Sequence, residues 1–206
     1  MANQIITIGR QCGSGGHTIG KLLAQRLGVA FYDKEIVEMA AAKTKLSPDF
    51  IRSHGEYFHG GSLGHIIGYG TRFDSSLKTG SALTDQLHQV QSEIILEVAE
   101  KGSCVIVGRC ADYVLAGKHP TLNVFIHSDM SYKVERSIQE HGIDPERAAS
   151  ILTRRDKARA QHYRFYTDKK WGDARNYDVC LDSGRLGVEA CVAILADAYQ
   201  RGLQRG

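Results

Sequence analysis

The residues best suited to chemistry form a glycine-rich segment near the start of the chain, Gly9-Arg10-Gln11-Cys12-Gly13-Ser14-Gly15-Gly16-His17-Thr18. A phosphate-binding loop of the pattern G-x-x-x-x-G-K-[ST] surrounds phosphate oxygens with backbone N–H groups, while its lysine binds the terminal phosphates and its hydroxyl holds Mg²⁺. When Gly15 is placed on the last glycine of that pattern, Gly16 stands at the lysine position and His17 at the hydroxyl position. The segment therefore predicts a phosphate-binding backbone that lacks the usual cation.

A tight strand-to-helix turn that binds nothing is the alternative, since glycine-rich turns are common and conformationally permissive. The surrounding sequence favours an anion site. The apolar run 5–8 precedes the loop, and the segment after it has apolar residues at helical spacing: Ile19, Leu22, Leu23 and Leu27. The N–H groups and the dipole at a helix N-terminus attract negative charge, so we interpret the segment as a phosphate-binding loop.

The chain has 206 residues, of which 42% are hydrophobic and 24% charged, a composition that suits one domain with its own core. It has no apolar run of the ~20 residues that a membrane helix needs, and no signal-peptide pattern at its start. Its five cysteines are odd in number and form no C-x-x-C pair, which is typical of reduced thiols. We therefore expect a soluble, cytoplasmic protein.

The positive charge of the chain is concentrated in one segment. Residues 154–175 hold eight basic and three acidic side chains, although the whole chain is only +3. This excess indicates an anionic ligand, and the alternative is a solvated helix face. A nucleic-acid module is a third reading, which the aromatic residues of the segment favour: Tyr163, Phe165, Tyr166 and Trp171. We rank it last because the segment contains no recognised nucleic-acid-binding motif.

Apolar segments of strand length alternate with amphipathic segments along the chain. Strands are predicted at 5–8, 29–32, 103–107, 122–127 and 177–181. Helices are predicted from the loop to residue 28, at 36–42, from residue 47 onward, at 83–102, at 129–140, from residue 144 into the basic segment, and at 188–199. Parallel neighbours need crossovers, which helices supply, so the fold class is α/β with a five-stranded parallel sheet between helices on both faces.

Residues 55–80 show no sustained period and are rich in glycine, which predicts a loop or the edge of a lid. Three histidines occur in or beside this segment: His54, His59 and His65. Their spacing matches no compact metal-ligand set, so we interpret them as solvated loop residues.

Ligands of parallel sheets bind beyond the carboxyl ends of the strands, and three predicted features lie at such ends. The glycine loop follows the first strand, Asp33 follows the second and Arg109 follows the third. We therefore expect them to converge on one cleft. Asp33 has two possible roles, capping the next helix or facing a ligand, and Arg109 either contacts a ligand or forms a structural ion pair.

Four stretches resemble the P-loop nucleoside-monophosphate kinases, and in particular the cytidylate-kinase-like family. They are Gly13-Ser14-Gly15-Gly16-His17-Thr18-Ile19-Gly20-Lys21-Leu22-Leu23-Ala24, Phe31-Tyr32-Asp33, Gly108-Arg109 and Arg155-Asp156-Lys157-Ala158-Arg159. Their order and spacing cover most of the chain. The resemblance implies a single P-loop NTPase domain over 1–206, with an acceptor-side insertion at about 45–90 and a lid-like basic helix region at about 145–175.

The resemblance also implies transfer of the γ-phosphoryl group of ATP to a pyrimidine nucleoside monophosphate, with Mg²⁺ as cofactor. The donor phosphates would be bound by Gly13, Ser14, Gly15, Gly16, His17 and Thr18. Arg109 is similar to the arginine that grips the acceptor phosphate, and Asp33 to an acid facing the acceptor. Arg155 and Arg159 look like lid arginines whose i, i+4 spacing lets both point into one cleft while Asp156 turns aside. Surface charge is the alternative for these two arginines.

The missing lysine is the departure from the family pattern, and another cation must neutralise the terminal phosphates. Arg10 at the loop entrance is our first candidate, and a lid arginine is the second. Lys21 lies one turn further along the helix and is expected to point away. Thr18 is one residue late for the Mg²⁺ hydroxyl, and no Asp follows the third strand as a Walker B metal partner, so no metal ligands are assigned.

We therefore expect an ATP-dependent kinase that phosphorylates a nucleoside monophosphate or a related small molecule. The alternative is a nucleotide-binding regulatory protein with weak or no kinase activity, which the absent lysine motivates. Neither a membrane nor nucleic acid is expected as partner. The sequence does not determine the acceptor or the oligomeric state.

Overall fold

The structure is a computed structural model that describes residues 3–54 and 80–201. It confirms the predicted α/β class, with five parallel strands between helices. The strands are β1 (Ile5–Arg10), β2 (Ala30–Tyr32), β3 (Cys104–Val107), β4 (Thr121–His127) and β5 (Val179–Asp182), in the spatial order β2-β3-β1-β4-β5. β1 thus lies in the centre of the sheet, between β3 and β4.

The helices follow the predicted order, with two short additions after β3 and β5. In chain order they are α1 (Gly16–Leu27), α2 (Lys34–Thr44), α3 (Pro48–His54), α4 (Gly80–Lys101), α5 (Ala111–Val114), α6 (Met130–His141), α7 (Pro145–Thr167), α8 (Ser183–Leu186) and α9 (Val188–Gln200). A single 3₁₀ turn, Ala174–Asn176, precedes β5. The segment predicted to be irregular, 55–80, lies outside the described residues except for its last residue, where α4 begins, and so do His59, His65 and the side chain of His54.

The central strands β1 and β3 carry buried apolar residues on both faces, as expected where helices cover each face of the sheet. On one face Ile5 and Ile106 pack with residues of α2 and α4, and on the other Ile6 and Ile8 pack with residues of α1 and α9. Alternate side chains of one strand therefore enter two separate cores. Among the described helices, none has the length and apolar character that crossing a membrane requires.

α1 packs closely against the sheet at Gly20. A Cβ atom at this position would lie 3.1 Å from side-chain atoms of Ile8, Phe31 and Val107 at once. These neighbours belong to β1, β2 and β3, so they cannot all move aside without disturbing the sheet. The glycine keeps α1, and with it the glycine loop before it, at a fixed height over the strand ends.

Replacing Gly20 with Val should therefore lower the free energy of unfolding by about 1–3 kcal/mol, because two branched methyl groups enter filled space. Urea denaturation monitored by circular dichroism measures this change. Gly102→Val is the matched control, since a Cβ at Gly102 has nothing within 4 Å. Equal losses in both variants would contradict the close packing described here.

Candidate active site

The glycine loop connects the end of β1 to the start of α1 at the centre of the sheet edge. Gly13 and Gly15 have φ angles of 80° and 77°, which side-chain-bearing residues rarely adopt. A Cβ at Gly13 would lie 2.7 Å from the carbonyl oxygen of Lys133 in α6, so this glycine also permits a close approach of two backbones. The first N–H groups of α1 have no acceptor within the helix and are available to an anion.

Ser14 stabilises the loop by hydrogen bonds from its buried side chain to backbone carbonyl groups. Its side chain is fully buried, and its hydroxyl lies 2.8 Å from the carbonyl oxygen of Gln11 and 3.2 Å from that of Ile126. Its own carbonyl accepts a hydrogen bond from the Ser183 hydroxyl at 2.6 Å. Ser14 can therefore contribute to the predicted cradle with its backbone only, because its side chain is directed into the protein.

Arg10 occupies the space that a side chain at position 16 would need. A Cβ at Gly16 would lie 2.5 Å from the Cβ and 2.9 Å from the Cγ of Arg10. A lysine at position 16 is thus incompatible with Arg10 where it now lies. The absence of a lysine at position 16 and the presence of Arg10 at the loop entrance are therefore sterically linked, because the two side chains would need the same space.

Asp33 stands at the N-cap position of α2, but its side chain caps no N–H group of the helix. Its two carboxylate oxygens instead face Arg10 Nη2 at 3.9 Å and His17 Nδ1 at 2.5 Å. The ring of His17 also lies edge-on to Phe31, with 5.4 Å between ring centroids. The side chain of His17 therefore extends toward β2, and Asp33 orients both it and Arg10.

Thr18 contacts an arginine that sequence reasoning missed. Arg136 in α6 donates from Nη2 to Thr18 Oγ1 at 2.8 Å and pairs with Glu140 at 2.8 Å. Its guanidinium carbon would be 3.2 Å from a Cβ at Gly15, so it lies directly against the loop. α6 follows β4, which is adjacent to β1. This position is the signal that could have identified Arg136 as a residue near the loop.

Arg109 lies in an unusual turn after β3. Three consecutive residues have positive φ angles, 75° at Gly108, 60° at Arg109 and 54° at Cys110. Such conformations are costly for residues with side chains and cluster at functional sites. The turn leaves Arg109 only 6% exposed, at a cavity beside the ends of β1 and β3.

Three predicted arginines, Arg10, Arg109 and Arg159, line this cavity together. Its other wall is largely aromatic and includes Tyr163, Trp171 and Tyr177. The cavity thus combines a concentrated positive charge with flat apolar surfaces. The charged donors suit a phosphate group, while the cavity volume of about 30 Å³ is smaller than the roughly 300–1,000 Å³ of pockets that hold a whole small molecule.

The aromatic wall is held by a buried carboxyl group, Asp112, in α5. The Tyr163 hydroxyl donates to Asp112 Oδ2 at 2.6 Å and ties α7 to α5. Burial raises the pKa of Asp112 above its ordinary value, although the bond from Tyr163 acts in the opposite direction. Burial and the neighbouring Asp112 also raise the pKa of Tyr163. Asp112 is not predictable from sequence, because a single Asp near a helix start has no distinctive sequence signal.

The expected arrangement of the lid arginines is wrong in two respects. Arg159 lines the cavity, but Arg155 is exposed to solvent. Asp156 does not turn aside, since its Oδ1 accepts a hydrogen bond from the Cys12 N–H at 2.6 Å. An i, i+4 spacing places two side chains near one another on a helix but does not determine which of them faces the protein. The inward side of α7 carries Asp156 and Arg159.

Two groups beside the loop that could bind Mg²⁺, the Thr18 hydroxyl and the Asp33 carboxylate, are engaged by other side chains. No group of three or more His, Cys, Asp or Glu side chains suited to a metal occurs in the described part of the chain. The Thr18 hydroxyl is bonded to Arg136, and Asp33 is engaged by Arg10 and His17. Mg²⁺ is commonly bound mainly through substrate phosphates and water, so we derive no step through the metal.

A parallel sheet of this order, with a glycine loop between its central strand and the first helix, defines a P-loop kinase fold. The same fold is found in shikimate kinase from Bacteroides thetaiotaomicron, with a TM-score of 0.57 and 15% identity over 97% of this chain and 99% of that one. A profile of the cytidylate kinase-like family matches residues 5–185, and the chain belongs to this family. The family and the fold together support a nucleotide-kinase function in general terms.

Two relatives named cytidylate kinase agree with this assignment, and a solved structure of an uncharacterized protein has a similar fold. The chain is 22% identical to a cytidylate kinase from Methanocaldococcus jannaschii over 94% of this chain and 96% of that protein. It is 30% identical to a cytidylate kinase from Methanopyrus kandleri, over 53% of this chain and 61% of that one. An uncharacterized protein from Eubacterium ventriosum ATCC 27560 has a TM-score of 0.71 and 27% identity, over 95% of this chain and 98% of that one.

The raised pKa of Asp112 predicts a pH-dependent stability. The folded protein binds this proton more readily than the unfolded chain, so protonation stabilises the fold as the pH falls through the raised value toward 3.8. Asp112→Asn removes the titration but keeps an acceptor for Tyr163. The free energy of unfolding of the wild type, relative to this variant, should increase as the pH falls from 7, and the full increase, reached below pH 3.8, is about 1.4 kcal/mol per unit of pKa elevation.

Urea titrations of both proteins at a series of pH values measure this difference. A second variant, Tyr163→Phe, checks the cause, because it removes a hydrogen bond that lowers the Asp112 pKa. The pH-dependent increase should then extend to higher pH. A difference between the wild type and Asp112→Asn that does not change with pH would contradict the assignment.

Proposed function

We propose that the protein transfers a phosphoryl group from ATP to a nucleoside monophosphate, with cytidine monophosphate as the expected acceptor. The observation that carries this proposal is the convergence of Arg10, Arg109 and Arg159 on one cavity beside the glycine loop. Three cations concentrated next to a phosphate-binding backbone suit a reaction in which negative charge must be held while it is transferred. The named relatives favour cytidylate as acceptor, and we propose the cytoplasm as the place of action.

Arg10 is proposed as the cation that replaces the Walker A lysine. Its stem lies where a side chain at Gly16 would begin, and its side chain is only 12% exposed. Asp33 Oδ1 lies 3.9 Å from Nη2 of Arg10 and orients the guanidinium beside the loop. An arginine offers bidentate hydrogen bonds to phosphate and retains its charge when buried, so it can serve where a lysine is absent.

The remaining roles follow from position. The backbone of residues 13–18 would bind the donor phosphates, and Arg109 would bind the phosphate of the acceptor. Arg159 would cover the transferring group from α7. Arg155 is exposed, so we propose that it reaches the nucleotide only if α7 moves toward the loop. Asp33 would act by orienting Arg10 and His17.

A panel of nucleoside monophosphates tests the proposal directly. The protein is incubated with ATP and Mg²⁺, and the formation of ADP and nucleoside diphosphate is followed by chromatography. Conversion of a pyrimidine monophosphate in preference to purine monophosphates supports the proposal and identifies the acceptor. ATP binding without turnover of any acceptor would instead support the regulatory alternative, and the absence of ATP binding would overturn both.

Arg10→Ala should reduce kcat/KM by roughly 100-fold, because it removes a charge-stabilising group from the transfer site. Arg10→Lys should recover part of this loss, since the charge is retained but the bidentate geometry is not. Steady-state kinetics of the purified variants measure both effects. Arg201→Ala is the matched control, because Arg201 pairs with Asp197 on the surface of α9 and should leave the rate unchanged. A loss below threefold in Arg10→Ala would exclude Arg10 as the substitute cation.

The steric relation between positions 10 and 16 makes a reciprocal prediction. Gly16→Lys alone should abolish activity and lower stability, because the new side chain meets the stem of Arg10. The double variant Arg10→Gly with Gly16→Lys restores the two glycines and the lysine of the usual loop pattern, while His17 still stands at the hydroxyl position, and it should be more active than either single variant. Comparing kcat/KM of the three variants gives the interaction between the two sites. Additive losses would show that the two positions do not share one space.

A further inference from the structure

The inward-facing carboxylate of α7 makes the contacts that a phosphate oxygen would make on the loop. Asp156 Oδ1 accepts from the Cys12 N–H at 2.6 Å, and Oδ2 lies 3.4 Å from Lys133 Nζ. Arg159 Nη1 is 3.8 Å from Oδ1. A backbone N–H of a glycine loop, an ammonium and a guanidinium are the donor types that bind phosphate in proteins. Asp156 therefore fills an anion position of the loop.

Lys133 reaches this position from α6. It is 5% exposed, and its Nζ also lies 3.2 Å from Gln11 Oε1 at the start of the loop. Its backbone lies against Gly13, so the lysine stem runs alongside the loop. A buried ammonium needs a counter-charge, and Asp156 supplies it. Any anion that takes the place of Asp156 would also contact the ammonium group of Lys133.

We propose that Asp156 holds an anion position of the loop and yields it to the phosphates of the nucleotide, which then bind the Cys12 N–H and Lys133. Lys133 is thereby a second phosphate-binding cation of the donor site, supplied by α6. This inference rests on the proposed function, since it concerns the donor phosphates of the same site. Because Asp156 belongs to α7, the exchange also couples nucleotide binding to the position of that helix.

A purely structural role would make the pair a tether between α7 and the loop. In a tether, loss of either partner disorganises the site, so both substitutions weaken nucleotide binding. In an exchange, Asp156 competes with the phosphates and Lys133 attracts them. The two substitutions then change nucleotide affinity in opposite directions, and this difference in sign separates the two explanations.

Isothermal titration calorimetry with ATP, and with tripolyphosphate as a probe of the phosphate chain alone, measures these affinities at fixed ionic strength. Lys133→Met should weaken both ligands about tenfold or more, Lys133→Arg should stay within about threefold of the wild type, and Asp156→Asn should tighten both by about tenfold. Lys43→Met and Glu97→Gln make the same charge changes in the exposed ion pair between α2 and α4 and should leave both affinities unchanged.

The double variant Lys133→Met with Asp156→Asn covers the case in which Asp156→Asn alone does not fold, because it removes the buried pair as a whole. It should bind ATP more tightly than Lys133→Met does. Weaker binding in Asp156→Asn, or a double variant no better than Lys133→Met, overturns the exchange while leaving the proposed function intact. Failure of the wild type to bind ATP overturns the proposed function, and the exchange with it.

Discussion

The close approach of Gly16 to Arg10 is the constraint on which the rest of the site depends. With 2.5 Å between the Cβ of Arg10 and a Cβ at position 16, the loop has room for one side chain where the usual pattern has its lysine. That side chain comes from the end of β1. Asp33 contacts Arg10 and His17 on one side of the loop. On the other side, Lys133 and Arg136 of α6 contact Gln11 and Thr18.

The strand order explains why these groups meet. β1 lies between β3 and β4, so the turn after β3 and the helix after β4 both border the loop after β1. Arg109 and α6 arrive from opposite sides although they are distant in sequence. α7 closes the arrangement, since Tyr163 bonds to Asp112 in α5 and Asp156 bonds to the loop. Positively charged side chains from β1, the turn after β3, α6 and α7 therefore lie together at one edge of the sheet.

The features that were predictable from sequence are those set by local pattern. Apolar runs indicated the strands, and the glycine spacing with the positions of Arg10, Asp33 and Arg109 after strands indicated the edge where they lie. The inward orientation of Asp156 and the burial of Lys133 were not predictable, because both depend on how α6 and α7 are packed and both read as ordinary surface charges. The exposure of Arg155 was not predictable for the same reason, since the spacing of residues along a helix does not determine which face of the helix packs against the protein.

The origin of Arg10 in a strand has a mechanical consequence. Arg10 is the last residue of β1 and lies in register with Ile126 of β4, so its backbone is part of the hydrogen-bonded sheet. A cation at position 16 would instead travel with the first turn of α1. In the proposed reaction, a phosphate bound by Arg10 would therefore be positioned relative to the hydrogen-bonded sheet and not relative to a helix. A change of geometry during that reaction would then come from the helices that surround the sheet.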